Sequence, residues 1–315
     1  MESLAEKRSN NSEKDWIKRV KSIFYYTDGN ISDSLSLLND INEKDSRLGF
    51  ENPLTNALAI RLCYYLGRWS ELLNLREEIS GKLGGYNISA SNVMVDYFSG
   101  LVNLSRGSLI EPKIDAERLM NDSSADFNAP KKVVAKLIEG SSEFYSGNEK
   151  IAYSKFLSSF NESLELKQPG LIIDTSYHIL TIPKLAFEDS DFSNIMDALT
   201  GLRGILLPPL YKNRFDLCIS ILDSKLGASK SDDLARKINH YLGQLKNESL
   251  RENLIYTSNL FVHLAGLYNQ LAIKSGKDRK EEIEKMLFGA EFIWQVLDAK
   301  LEISNIMWLR KQYLN

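Results

Sequence analysis

Residues with reactive side chains are few in this chain and stand far apart. The three histidines, His178, His240 and His263, belong to no HExxH motif and to no spaced set of cysteines and histidines that would bind zinc. The two cysteines, Cys63 and Cys218, lie in separate apolar segments without CxxC spacing. The sequence therefore predicts no metal site and no disulfide framework, and it favours a reducing compartment.

Motifs for phosphate or acyl chemistry are also missing. The segment SGKDRK contains Gly-Lys, but no predicted strand and no glycine-rich loop precede it, so the lysine has no phosphate cradle. Neighbouring carboxylates such as Glu77 and Glu78 do not face each other on a helix. The sequence contains neither GxSxG nor GxGxxG. We therefore predict no catalytic residue, no cofactor and no enzymatic activity; an enzyme of unrecognised type is the distant alternative.

Composition narrows the function classes further. With 43% hydrophobic and 26% charged residues among 315, the chain has the composition of a folded globular protein. Its formal net charge of −3 provides no general positive field for nucleic acid or anionic lipid. The first fifteen residues lack the apolar region of a secretory signal, and no apolar run is long enough for an integral membrane segment. These features predict a cytoplasmic protein that binds no nucleic acid.

A helical pattern repeats along the chain, and these helices must position any functional site. Five segments share one pattern, in which an apolar helix is followed by a tight turn and a second amphipathic helix. The turns are predicted at Gly29, Gly67, Gly107, Gly147 and Ser190, with separations of 38, 40, 40 and 43 residues. Glycine ends helices because it adopts the left-handed conformation without a Cβ penalty. After each turn, apolar residues recur every three or four positions, as expected for helices packed on one side.

These segments resemble tetratricopeptide repeats. In AKLIEGSSEFYSGNEKIAYSKF, Gly140, Gly147, Ala152 and Phe156 fall at four hallmark positions of that motif. The resemblance implies an all-α fold, an irregular α-solenoid of helix-turn-helix pairs with a C-terminal helical cap. It also implies that Gly140 and Ala152 lie where two helices cross closely. The alternative is a helical bundle whose turns coincide with this spacing.

The pattern divides the chain into three parts. Residues 1–14 are predicted to be a flexible polar tail, and residues 15–204 the repeat array. Pro208 and Pro209 interrupt the helical pattern, so residues 205–315 are predicted to form a separate C-terminal helical region and cap. Its last helix is predicted to run from about Arg279 to Leu314, with apolar positions from Ile283 to Leu301 along one face.

Binding is the function that remains for such an array, because stacked helix pairs form a long concave surface. The tetratricopeptide register implies that the first helix of each pair points its binding residues toward that concavity: Arg19, Arg61, Tyr65, Tyr97, Tyr145 and Lys184. Tyr97 and Tyr145 can alternatively belong to the core between repeats. Met307 and Trp308 form a second candidate surface, because the terminal helix has more apolar residues than one packed face requires; the alternative is that this helix is buried in a groove.

Two stretches resemble one family more closely. Residues 59–86, AIRLCYYLGRWSELLNLREEISGKLGGY, and residues 250–287, LRENLIYTSNLFVHLAGLYNQLAIKSGKDRKEEIEKML, are similar to parts of the carboxy-terminal repeat region of the TRAPP tethering complex's twelfth subunit. The resemblance covers about a fifth of the chain, and the family's repeat region is longer. It implies a non-catalytic subunit of a hetero-oligomer that tethers vesicles and activates a Rab-type GTPase in early secretory traffic and autophagy, at the periphery of membranes. A free-standing adaptor that binds peptides is the alternative.

Overall fold

The computed structural model describes residues 2–44, 53–82, 90–121, 128–182, 188–226, 230–247 and 251–315. These residues contain fifteen long helices and no strand, which confirms the predicted all-α class. In chain order the helices are α1 Glu2–Asp28, α2 Ile31–Lys44, α3 Pro53–Tyr65, α4 Trp69–Lys82, α5 Ala90–Ser105, α6 Glu111–Asn121, α7 Asn128–Tyr145, α8 Glu149–Glu165, α9 Pro169–Leu180, α10 Asp189–Gly201, α11 Pro209–Lys225, α12 Ser231–Gln244, α13 Leu254–Ser275, α14 Lys280–Val296 and α15 Lys300–Leu314.

Four of the five predicted turns have the same backbone geometry. Gly29, Gly67, Gly107 and Gly147 have φ angles of 88°, 72°, 95° and 86°, the left-handed region that glycine adopts without strain. In each turn the residue after the glycine donates its backbone N–H to the carbonyl five residues earlier, as Arg68 does to Cys63 at 2.8 Å. The fifth prediction is wrong, because Ser190 lies in the first turn of α10 rather than between helices.

The crossing of α7 and α8 is as close as the repeat register predicts. A Cβ atom on Gly140 would lie 2.8 Å from Cε1 of Phe156, and both Ala152 and Phe156 are fully buried. The apolar stripe of α8 is Ala152, Phe156 and Phe160, whereas the neighbouring Ile151 is exposed.

The helix pairs curl until distant parts of the chain meet. Helix α1 contacts α11, so the first helices of the first and sixth pairs meet; the first helix of each pair is here called an inner helix. The C-terminal helices pack against inner helices, with α13 against α3 and α15 against α5. A Cβ atom on Gly67 would lie 2.5 Å from Leu297 and 2.9 Å from Leu254, which shows how tightly the C-terminal region seats on the second turn. The chain's own C-terminal helices thus cover the surface that the inner helices form, here called the inner face.

The two ends of the chain differ from their predictions. Residues 2–14, predicted to be a polar tail, continue α1 in the structure. The predicted single terminal helix is split into α14 and α15 at Asp298, whose φ of 54° reverses the chain. Arg310 of α15 pairs with Glu284 at 3.0 Å and with Glu291 at 2.6 Å, which fixes the two helices as a hairpin. Among the described residues, no helix is long and apolar enough to cross a bilayer.

The predicted boundary between residues 204 and 205 stays a prediction. Leu199 and Leu210 belong to one continuous core, which extends from Tyr26 to Leu309. A smaller apolar cluster, which includes Val93 and Ile138, lies between α5, α6 and α7.

Candidate functional site

Three charged side chains meet where the inner helices converge. Arg61 of α3 donates a hydrogen bond from Nη2 to Oδ2 of Asp174 on α9, at 2.8 Å. Arg214 of α11 donates from Nη1 to the other carboxylate oxygen, Oδ1, at 2.6 Å. Arg61 also donates from Nη1 to the hydroxyl of Tyr211 at 2.9 Å. This cluster, which we call the inner triad (Arg61, Asp174, Arg214), is held by hydrogen bonds between residues that are 40 and 113 positions apart.

Aromatic rings enclose the inner triad. The guanidinium carbon of Arg214 lies 4.2 Å from the ring centroid of Tyr65, and that of Arg61 lies 5.9 Å from the centroid of Tyr26. Such stacking stabilises a desolvated cation through the ring quadrupole. Burial raises the pKa of Tyr65 and of Tyr177, so their phenols stay protonated and available as hydrogen-bond donors at neutral pH.

The charges of the inner triad do not balance. Within the described residues, Asp174 is the one carboxylate in contact with the two guanidinium groups, and each of its oxygens already accepts a bond from one of them. Arg214 is only 2% exposed, yet its Nη2 has no hydrogen-bond partner; Nε of Arg61 and the hydroxyl of Tyr26 are likewise buried without one. A net positive charge and unused donors therefore remain inside the protein.

A cavity of about 80 Å³ adjoins the inner triad. Its wall includes Asp174 and Arg214 together with aromatic, polar and acidic side chains from the inner helices and from α13 to α15, among them Tyr64, Tyr65, Tyr97, Tyr145, Tyr177, Asn259, Trp294 and Glu302. Asn305 donates from Nδ2 to the Tyr145 hydroxyl at 3.0 Å and to Oε2 of Glu302 at 3.2 Å. The cavity wall thus carries one cationic side chain, Arg214, and two acidic ones, Asp174 and Glu302.

A serine and a histidine also lie on the wall of this cavity. Oγ of Ser141 is 2.7 Å from Nε2 of His178, a distance suited to a nucleophile and its base. Burial lowers the pKa of His178 to about 4, which makes it a weak base at neutral pH. Ser220 and His263 form the same contact at 2.8 Å elsewhere between two helices, and burial lowers the pKa of His263 to about 3. The repetition of this pairing favours a packing role for both histidines.

A second charged cluster lies on α4, α5 and α6, and its charges balance. Asp115 is fully buried and pairs with Arg76, while Arg118 lies 3.4 Å from Asp96 and 3.7 Å from Asp115. Burial raises the pKa of Asp115 to about 6, against the opposing effect of Arg76. Two carboxylates thus face two guanidinium groups here, in contrast to the inner triad.

The structure brings four of the predicted binding residues together. Arg61 belongs to the inner triad, and Tyr65, Tyr97 and Tyr145 line the adjoining cavity, where they contact the protein's own helices. Arg19 on α1 is partly buried and takes no part in this cavity. Lys184 lies outside the described residues. Their role in binding a partner stays a prediction.

The two predicted residues of the terminal helix face in different directions. Met307 is 54% exposed, whereas Trp308 is half-buried against the core. Sequence reasoning missed Asp174 and Arg214, although each is a charged residue within an apolar helical stretch, LIIDTSYHIL and NRFDLCISIL. That signal could have selected them, because a charge on a buried helix face needs a partner.

Neither a metal site nor a similar known protein indicates a function for this chain. Among the described residues, no group of three or more histidine, cysteine or acidic side chains is arranged to hold a metal ion. Comparisons of the chain with protein-family models, curated proteins and solved structures gave no match.

Proposed function

We propose that this protein is a non-catalytic scaffold subunit of a multiprotein assembly, and that it binds a partner subunit through an apolar stripe on α14. The observation that carries the proposal is the exposure of Phe288, Phe292 and Val296, which are 62%, 59% and 66% exposed. Their spacing of four residues places them on one face of the helix. Large apolar side chains in such a row mark an interaction surface more often than isolated ones do.

A second apolar stripe lies on α1. Trp16, Ile17, Ile23 and Phe24 are all exposed, with Trp16 and Phe24 at 64% and 63%, while the opposite face of α1 packs on α2 through the buried Ser22–Ser34 contact. The seven-residue spacing from Trp16 to Ile23 and from Ile17 to Phe24 again makes one continuous face. Two separate apolar surfaces fit a subunit that connects two partners.

The filled inner face favours a subunit over a free-standing peptide adaptor. In an adaptor, the tyrosines of the inner helices would be open to a peptide. Here Tyr145 is hydrogen-bonded to Asn305 of α15, and Tyr177 to Asn259 of α13 at 3.0 Å. A peptide could enter this face only if α13 to α15 moved away. Stable subunit interfaces are larger and more apolar than peptide grooves. The exposed apolar stripes on α14 and α1 fit such an interface better than they fit a peptide groove.

A finer proposal concerns the type of assembly. The resemblance of residues 59–86 and 250–287 supports a TRAPP-like complex that tethers vesicles, activates a Rab-type GTPase and acts at early secretory membranes from the cytoplasm. In the fold these two segments touch, because Gly67 in the α3–α4 turn faces Leu254 of α13. The resemblance therefore falls on one contiguous part of the molecule.

The test is affinity purification of the tagged chain from its own cells, with subunits quantified by mass spectrometry. We expect the same set of partners in fixed ratio after stringent washing. Phe288→Ser combined with Phe292→Ser should abolish this recovery without changing the melting temperature. The matched control is Ile273→Ser, since Ile273 is equally apolar and 74% exposed but lies on α13. Unchanged recovery in the double variant would contradict docking through α14.

The non-catalytic part of the proposal has its own test. A fluorophosphonate probe reacts with serines that a nearby base activates. We expect no labelling of Ser141, since the low pKa of His178 and its burial leave the hydroxyl unactivated. Stoichiometric labelling of Ser141 that disappears in Ser141→Ala would contradict the proposal that the protein is non-catalytic.

A further inference from the structure

The strongest unexplained feature of the interior is the excess positive charge of the inner triad. Two guanidinium groups share one carboxylate, and both oxygens of Asp174 are already occupied. In the second charged cluster, by contrast, Arg76 and Arg118 face two carboxylates, Asp96 and Asp115. A buried charge without a counter-charge is unfavourable, so the missing partner of the inner triad should be an anion.

The unused donors point to the same conclusion. Nη2 of Arg214 has no acceptor, although the side chain is 2% exposed and lines the cavity. Tyr65 stacks on the flat face of this guanidinium group, so the stacking does not obstruct the in-plane Nη2 donor. A planar guanidinium group binds carboxylates in that plane, through N–H donors whose spacing matches two oxygens.

We propose that the cavity beside Arg214 binds a small carboxylate that carries a single negative charge. Its volume of about 80 Å³ exceeds the roughly 10–15 Å³ that one water molecule requires, so several non-hydrogen atoms can be accommodated. The carboxylate accepts hydrogen bonds from Nη2 of Arg214. The remainder of the ligand lies among the aromatic rings of the wall.

Glu302 determines which carboxylates are accepted. It lines the same cavity and accepts a hydrogen bond from Asn305, which also donates to Tyr145. A second negative charge on the ligand would be repelled there, whereas an apolar tail or an ammonium group would be tolerated. Dicarboxylates and phosphate are therefore excluded, and simple monocarboxylates or zwitterionic amino acids are the fitting class. This site is independent of the proposed scaffold function, because the α14 stripe takes no part in it.

The experiment measures ligand binding to the purified full-length chain by isothermal titration and thermal melting. Acetate, propionate, butyrate, glycine and alanine, each with one carboxylate, are the probes. Succinate and phosphate, at a mildly alkaline pH where phosphate is mainly doubly charged, are the comparisons, and chloride is the ionic-strength control. We expect at least one of the monocarboxylate probes to bind with 1:1 stoichiometry and to raise the melting temperature with concentration. Succinate and phosphate should bind at least about tenfold more weakly.

Variants locate the site. Arg214→Lys retains the positive charge but loses the planar fork, and should weaken binding about tenfold or more. The matched control is Arg203→Lys on the exposed surface, which should bind as the wild type does. If Arg214→Lys does not fold, Ser105→Phe leaves the inner triad intact and should abolish binding by filling the cavity.

Three outcomes would overturn the proposal. The first is that no monocarboxylate probe binds more strongly than chloride, which would mean that solvent alone satisfies Arg214. The second is equal affinity for succinate and propionate. The third is binding that survives in both Arg214→Lys and Ser105→Phe. None of these outcomes affects the affinity-purification test of the scaffold function, so the two proposals fail separately.

Discussion

The inner face of the helix pairs and the exposed face of α14 both differ from the corresponding surfaces of an open solenoid. The inner face, where stacked helix pairs ordinarily bind ligands, carries the inner triad and buried tyrosines and is covered by α13 to α15. The outer face of α14, where a solenoid normally presents polar residues, carries exposed phenylalanines. The inner face has therefore become part of the protein core, because the chain's own helices α13 to α15 cover it.

The largest effect is expected from Asp174→Asn in the inner triad. The substitution leaves Arg61 and Arg214 buried together without a counter-charge, which should cost about 3–5 kcal/mol in the free energy of unfolding. Urea denaturation measures this loss. The matched control, Asp197→Asn, replaces an exposed carboxylate within α10 and should stay within about 0.5 kcal/mol. A wild-type midpoint for Asp174→Asn would mean that the inner triad does not hold the inner face together.

The second prediction concerns pH and His178. Burial lowers the pKa of His178 from 6.5 to about 4 in the folded state, so the unfolded state is protonated first as the pH falls. The stability contributed by neutral His178 is complete above pH 6.5 and is lost between about pH 6.5 and 4, by roughly 3 kcal/mol. His178→Gln should reduce this acid-induced loss in urea titrations repeated across that range.

The matched control for His178 is His240→Gln, because His240 is exposed on α12. At neutral pH it should change the free energy of unfolding by less than about 0.5 kcal/mol. Asp115 acts in the opposite direction: its pKa is raised to about 6, so its contribution to stability grows as the pH falls from 6 to 4. The comparison between wild type and His178→Gln removes this shared contribution. Identical slopes for the two proteins would show that His178 does not stay neutral in the fold.

The third prediction contrasts two helical glycines. Gly140→Ala places a methyl group 2.8 Å from the buried ring of Phe156 and should cost about 1–3 kcal/mol by overpacking. Gly243→Ala in α12 meets no atom within 4 Å and should instead stabilise by about 0.5–1 kcal/mol, since alanine favours the helix. Thermal unfolding of both variants measures the two signs. Stabilisation by Gly140→Ala would refute the close crossing of α7 and α8.

Local features of this fold could be predicted from the sequence. The turn glycines are required by backbone geometry, and the apolar spacing of Ile31, Leu35 and Leu38 places all three in the core. Ser190 was misplaced because the pattern was extended to a segment without a turn glycine. The break at Asp298 was missed because the apolar spacing from Ile283 to Leu297 continues without interruption up to it, and no glycine or proline marks the reversal.

The site itself depends on contacts that local patterns do not contain. Arg61 meets Tyr211 across 150 residues and Asp174 across 113, and these pairs follow from how far the array curls. Small rotations between successive helix pairs add up to that curl, and no single segment specifies it. The sequence placed Arg61 and Tyr65 on the inner face but could not show that α13 to α15 would cover them.

The smallest change in stability is expected on α15, where an exposed residue and a half-buried residue are neighbours in the sequence. Met307 is 54% exposed, so Met307→Ser should change the free energy of unfolding by less than about 0.5 kcal/mol. Trp308, half-buried against the core, is the matched comparison, and Trp308→Ser should cost about 2 kcal/mol, below the value for a fully buried aromatic residue. If Met307 belongs to the docking surface, its variant should also release partners in the affinity purification while Trp308→Ser acts mainly through stability. Equal destabilisation by both substitutions would place Met307 in the core and confine docking on the terminal hairpin to the α14 stripe.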